Sequence, residues 1–151
     1  MAPMRLDTLK ADFELLDDWE DRYRHVIELG KELPPFDEAA RINANKVRGC
    51  ASQVWLTTQI SGSASDPVVT YSGDSDALIV KGLVAIALMI YSGHSARDIL
   101  ATDAGATLRE LGLHDHLTPQ RSNGFASLIE RIKVEARFAL QDSSAAGTAG
   151  R

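Results

Sequence analysis

The stretch Val54-Trp55-Leu56-Thr57-Thr58-Gln59, followed by Ser61-Gly62-Ser63-Ala64-Ser65 and then Val68-Val69-Thr70-Tyr71, decides the fold class. Val54, Leu56 and Thr58 alternate against Trp55, Thr57 and Gln59, the period-two pattern of a half-buried strand. Ile60 ends this strand at a small, flexible turn, and Val68–Tyr71 returns antiparallel beside it. Two strands protect each other poorly. A strand at Asn45–Val47 or surrounding helices must therefore complete the layer.

Outward from this hairpin the pattern is helical. Upstream, Leu6, Leu9, Phe13 and Leu16 share one helix face. Asp17 and Asp18 then offer a cap for a second helix carrying Trp19, Tyr23, Val26 and Ile27, with Gly30 as its end and Pro34-Pro35 beyond. Downstream, Gly73-Asp74-Ser75-Asp76 supplies flexibility and capping groups before Ile79, Val80, Leu83, Val84, Ala87 and Ile90, the face of a largely buried helix ended by Ser92-Gly93. Ser95 and Asp98 have capping-box spacing. Leu108 and Leu111 bury a short turn before Gly112. Thr118-Pro119 opens a last helix whose buried face is Phe125, Leu128, Ile129 and Ile132, with Gly124 in a close-packing or local-turn role. The expectation is an α+β fold: a single domain over residues 1–151, with a small antiparallel sheet packed with helices. Residues 143–151, rich in small side chains, are expected to form a flexible tail.

Length and composition narrow the function. The 151 residues are 44% apolar and 25% charged, enough for one continuous core with a soluble surface. Sixteen Lys and Arg stand against 21 Asp and Glu, a net charge of -5 that suits nucleic-acid phosphates poorly. The strongest apolar run, Leu83–Ile90, is too short to span a bilayer, and Met-Ala-Pro-Met-Arg begins no long apolar signal segment. The expected setting is the cytoplasm, with neither nucleic acid nor membrane as a partner.

Chemistry centres on Cys50, the sole cysteine. One thiol excludes an intrachain disulfide and any paired-cysteine metal site. Its reactivity depends on exposure and thiolate fraction, and inert packing is the default for an isolated cysteine. Arg48, two positions before it, lowers the thiol pKa if the side chains converge. Arg121 sits at the start of the last helix, unfavourable for a cation by helix polarity, which suggests an ion pair. His114 and His116 lack a convincing third ligand, so no metal site is expected. Asp74 and Asp76 read first as helix caps. No Walker-type phosphate loop is present.

Gly49-Cys50-Ala51-Ser52-Gln53-Val54-Trp55 resembles the SufE family of cysteine-desulfuration proteins. Gly73-Asp74-Ser75-Asp76-Ala77 with Ile79-Val80-Lys81-Gly82-Leu83, Leu117 through Gly124, and Trp19-Glu20-Asp21-Arg22-Tyr23 extend the likeness over roughly residues 6–140. The resemblance implies an α+β fold and a protein that accepts sulfane sulfur from a PLP-dependent cysteine desulfurase and passes it to the SufBCD iron–sulfur assembly scaffold. Cys50 is then the persulfide carrier. The chain is a sulfur-transfer protein and desulfurase activator rather than a standalone enzyme, with no cofactor of its own. Arg48, Gly49, Ser52, Gln53, Asp74 and Arg121 are supporting or interface candidates. Two alternatives stand beside this reading: an acceptor serving a different desulfurase pathway, and a noncatalytic interaction module that keeps Cys50 as packing.

Overall fold

The computed structural model describes residues 6–149, with side chains described through Gln141. Helices α1 (Leu6–Leu15) and α2 (Trp19–Lys31) come first, joined by a turn in which the Asp18 carboxylate accepts from the Glu20 amide. Two short 3-10 turns, Glu38–Ala40 and Asn43–Asn45, lead to strands β1 (Val54–Ser63) and β2 (Asp66–Ser75). Then follow α3 (Leu78–Tyr91), β3 (His94–Ser95), α4 (Ala96–Ala101), α5 (Ala104–Glu110), a 3-10 turn at Leu113–His116, and α6 (Pro119–Ala149). The architecture is the expected α+β domain with a small antiparallel sheet. Of the expected flexible stretch 143–151, Gly150 and Arg151 lie outside the described residues, while the backbone of 143–149 continues α6.

The sheet differs in detail from its sequence reading. Strand β1 does not end at Ile60 but continues to Ser63, and β2 begins at Asp66, in a register that sets Val54 opposite Ser75 and Thr58 opposite Tyr71. Gly73-Asp74-Ser75 is therefore strand, not a flexible cap. Pairing across the hairpin satisfies these backbone groups and overrides the local turn preference of Gly and Asp. The third strand is β3, which pairs with β2 through Val68–Ser95 and Val69–His94. On the other side of the hairpin, the expected Asn45–Val47 strand shrinks to one isolated bridge between Lys46 and Trp55.

Helix α3 is the centre of the core. Gly82 through Ala87, Ile90 and Tyr91 are buried, so the helix is apolar nearly all round because neighbours surround it. Gly73 of β2 lies against Val84 on one side, where an added Cβ would stand 2.7 Å from its methyl. On another side α2 crosses at Gly82, where an added Cβ would come 2.1 Å from the Val26 carbonyl oxygen. Gly30 meets Gly82 in the same crossing, and α2 runs past it to Lys31. Gly30 thus serves close helix approach rather than ending the helix, a role that a single-helix reading cannot reveal. Tyr71 ties the sheet to α6 by donating its hydroxyl to the Ile132 carbonyl at 2.7 Å. No helix among the described residues is long and apolar enough to cross a membrane.

Candidate functional site

Cys50 sits in the short loop between the Asn43–Asn45 turn and β1. The loop is closed at its neck by the Val47 amide, which donates to the Val54 carbonyl at 2.8 Å. Between these positions Arg48-Gly49 form a tight turn that brings the Cys50 amide back towards Val47, and the amides of Arg48, Gly49, Ala51 and Ser52 have no protein acceptor among the described residues. Gly49 takes φ +89°, the left-handed region that favours glycine, and an added Cβ there would stand 2.4 Å from Ser127 Oγ. Backbone conformation and close approach to α6 therefore both call for glycine. This turn directs the next side chain, Cys50, towards α6.

The Cys50 thiol is half-buried and donates to the Gly124 carbonyl oxygen across 3.4 Å. It borders a cavity of about 230 Å³ between the loop, α3 and the start of α6. Val54, Val80, Leu83 and Phe125 line its apolar wall, and Thr118, Gln120 and Arg121 stand on its polar side. Burial pushes the thiol pKa above its ordinary value. The carbonyl partner acts in the same direction, since an anionic sulfur facing a carbonyl oxygen is repelled. The resting geometry keeps Cys50 protonated. Gly124 lies inside α6 rather than at a local turn, and an added Cβ would stand 3.6 Å from the sulfur, an ordinary contact, so the expected tight packing does not itself require glycine there.

The remaining sequence candidates separate into three groups. Ser52 and Arg121 line the cavity with Cys50. Arg121 has no carboxylate partner among the described residues, so the ion pair suggested by its helix position is absent there, and its amide donates to Thr118 Oγ1 in the expected cap. Arg48 is exposed and does not line the cavity, so the structure does not bring it to the thiol. Gln53 lies just outside, held by Asp76: its amide donates to Asp76 Oδ1 at 3.0 Å and its side chain to Oδ2 at 3.2 Å. The Asp76 amide returns a bond to the Gln53 carbonyl at 3.2 Å.

Neither aspartate caps α3, whose N-cap is Ala77 without a side-chain bond. Asp74 is instead buried on β2, opposite Trp55. Its Oδ2 accepts from both Nε and Nη2 of Arg41, and Lys81 Nζ lies 3.4 Å from Oδ1. Burial raises the Asp74 pKa, but the bonds from Arg41 and the Ser75 backbone, with the Lys81 ammonium, outweigh it and hold the carboxyl below its ordinary range. The Arg41 guanidinium also sits 5.8 Å from the centre of the Trp55 ring. Asp74 therefore anchors the chain that approaches Cys50 and does not touch the thiol. Arg41 was invisible to sequence reasoning because its partner is far away in the chain, on an element read as a cap.

His114 and His116 share the short 3-10 turn. His116 stacks on Trp19 with ring centroids 3.6 Å apart, and no group of three or more His, Cys, Asp or Glu among the described residues could hold a metal ion.

Comparison with known proteins bears on this geometry. Residues 7–136 match the family model SufE, described as an Fe-S metabolism associated domain. An uncharacterized SufE-like protein of Rhizobium meliloti is 56% identical over 131 residues, covering 87% of this chain and 94% of the relative. A second, from Rhizobium etli, is 54% identical over 132 residues, covering 87% and 89%. The solution structure of a hypothetical protein from Thermus thermophilus has a TM-score of 0.71 at 22% identity, over 93% of this chain and 99% of that one. At that identity it speaks for the fold alone.

Proposed function

The chain belongs to the SufE family, and from that premise we propose that it accepts sulfane sulfur on Cys50 from a PLP-dependent cysteine desulfurase. It then delivers that sulfur to a SufBCD-type assembly scaffold in the cytoplasm. The observation that carries this reading is the placement of the sole thiol on a tethered loop, beside a cavity with room for another sulfur atom. An inert packing cysteine needs neither the cavity nor a loop so sparsely bonded along its backbone. The whole described fold serves as one sulfur-acceptor domain, and 143–151 is dispensable to it.

The transfer is a thiol–persulfide exchange. The desulfurase, using its own PLP, carries a persulfide on its cysteine. Cys50 leaves the Gly124 carbonyl, loses its proton and attacks the outer sulfur of the donor. A new sulfur–sulfur bond forms on Cys50 as the donor's bond breaks, and the electron pair departs on the donor cysteine as a thiolate. Arg121, which lines the same cavity and has no carboxylate partner among the described residues, would steady the anionic sulfur. Gly49 permits the turn, Ser52 borders the cavity, and Gln53 latches the loop to Asp76. Asp74 fixes the approach through Arg41. Arg48, exposed on the loop itself, is available to the partner.

Cysteine turnover by the desulfurase tests the reading. Wild-type protein is expected to accelerate turnover without a reductant, because it removes sulfur from the donor. Folded Cys50→Ser protein should give no acceleration, and equal acceleration by both would remove Cys50 from the reaction.

A further inference from the structure

One face of α6 holds the whole segment that leads to the thiol. At its start, the Gly124 carbonyl accepts from Cys50 Sγ. One turn on, the Ser127 side chain lies over Gly49. Another turn on, Arg131 donates from Nη2 to the Ala44 carbonyl at 3.0 Å and from Nη1 to the Lys46 carbonyl at 3.2 Å. Its Nε is held by Glu135 Oε1 at 3.0 Å. Positions 124, 127 and 131 recur at the spacing of a single helix face. Their partners run backwards through 50, 49, 46 and 44, so the segment lies antiparallel to the helix.

These contacts differ in strength. A thiol is a weak donor, and the Ser127 contact is only close approach. The Arg131 bonds are charge-assisted and bridge two carbonyls; the one to Lys46 is partly shielded from water and the one to Ala44 is exposed. The backbone divides at the same place. The amides of Asn45, Lys46 and Val47 donate to Ile42, Asn43 and Val54, whereas beyond them only the tight turn at Arg48-Gly49 remains, and the amides of Arg48, Gly49, Ala51 and Ser52 have no protein acceptor among the described residues. Beyond the thiol, the Asp76 latch holds Gln53.

We propose that Arg131 is a positioning residue for sulfur transfer: it fixes the hinge of the Cys50 loop on α6, so that residues 48–52 move out while 44–47 stay docked. This rests on the reading of Cys50 as the sulfur carrier. Arg131 does not touch the sulfur. With the hinge pinned, the thiol travels only as far as a short arm allows and presents itself to the donor in a narrow range of positions. Without it, residues 44–47 lift as well, and the thiol is exposed before a partner arrives.

Arg131→Met keeps an unbranched stem and removes every donor, and Arg131→Lys restores charge and a donor. Three readouts are taken: amide exchange at Asn45, Lys46 and Val47, alkylation of Cys50 in the isolated protein, and kcat and KM for sulfur acceptance from the desulfurase. In Arg131→Met, exchange at the three amides is expected to rise about tenfold, the holding lost with a charge-assisted bond. Alkylation should quicken and kcat should fall with little change in KM, while Arg131→Lys recovers part of each. Val26→Ala, a core change away from the loop with a comparable loss of Tm, should leave exchange and alkylation as in wild type. Wild-type exchange and alkylation in a folded Arg131→Met protein would overturn the proposal. If the wild type accepts no sulfur, the carrier reading fails, and the hinge stands or falls on exchange and alkylation alone. Should Arg131→Met not fold, wild-type protein bound to an inactive desulfurase decides: retained protection at 45–47 while Cys50 becomes reactive supports the hinge, and lost protection there overturns it.

Discussion

Cys50 Sγ lies 3.4 Å from the carbonyl oxygen of Gly124, so the thiol donates its proton into the first turns of α6. That relationship couples protonation, burial and position. To become a nucleophile the sulfur must leave this acceptor, and leaving it carries the sulfur towards solvent or a partner.

The isolated protein is accordingly expected to alkylate slowly at Cys50, with a pH profile centred above the ordinary thiol value because burial raises the pKa. Saturating, catalytically inactive desulfurase should speed the reaction at neutral pH and shift the profile down. The linked stability has a definite sign. The folded pKa is raised, so the contribution is full below the unfolded thiol pKa and is lost as pH rises through the folded one. Fast alkylation indifferent to the partner, measured by stopped flow, would contradict this gate.

Gly49→Ala should open the gate without a partner. The φ of +89° costs an alanine about 1–2 kcal/mol, and the new Cβ would also press on Ser127 Oγ. Alkylation of Cys50 in the isolated variant should rise roughly tenfold or more, given that about 1.4 kcal/mol is a factor of ten. Adding Ser127→Ala should recover only the steric part. An alkylation rate equal to wild type in Gly49→Ala would mean that the loop is not held by this turn.

Arg41→Met should lower Tm more than Asp74→Asn at neutral pH. The first leaves a buried carboxylate with only Lys81 and the Ser75 backbone to hold it, whereas the second leaves a partly exposed guanidinium that can turn to water. In the wild type the Asp74 pKa is depressed, so its contribution is present above the unfolded value and is lost as pH falls through the folded one. In Arg41→Met burial acts with less opposition, Asp74 takes up its proton earlier, and the Tm deficit against wild type should narrow in acid. Thermal melts across pH check both points. A reversed order, or a deficit that widens in acid, would remove Asp74–Arg41 as the anchor.

Much of this fold was legible from local pattern. The alternation at Val54–Gln59, the Asp18 and Ser95 caps and the Thr118-Pro119 helix start all depend on near neighbours, and each is present. What escaped notice depends on distant partners. Gly73-Asp74-Ser75 reads as a flexible cap until β1 pairs with it, and Gly30 reads as a helix end until α2 crosses Gly82. In the site, Cys50 and Gly49 were visible because a lone thiol and the glycine before it stand out by type, whereas Gly124 read only as a packing or turn residue of the last helix. Arg41 and Arg131 look like ordinary surface cations in sequence. Their roles exist only once Asp74 and the carbonyls of Ala44 and Lys46 are brought to them. Arg48 shows the converse: nearness in sequence did not bring it to the cavity.

The central claim is that Cys50 bears the transferred sulfur. The direct test is intact-mass and peptide analysis of this protein after incubation with the desulfurase, PLP and cysteine, followed by trapping of persulfides. The account predicts one added sulfur, located on the peptide containing Cys50, removable by reductant and absent from folded Cys50→Ser protein. A desulfurase that turns over cysteine and binds this protein while Cys50 remains an unmodified thiol would contradict it.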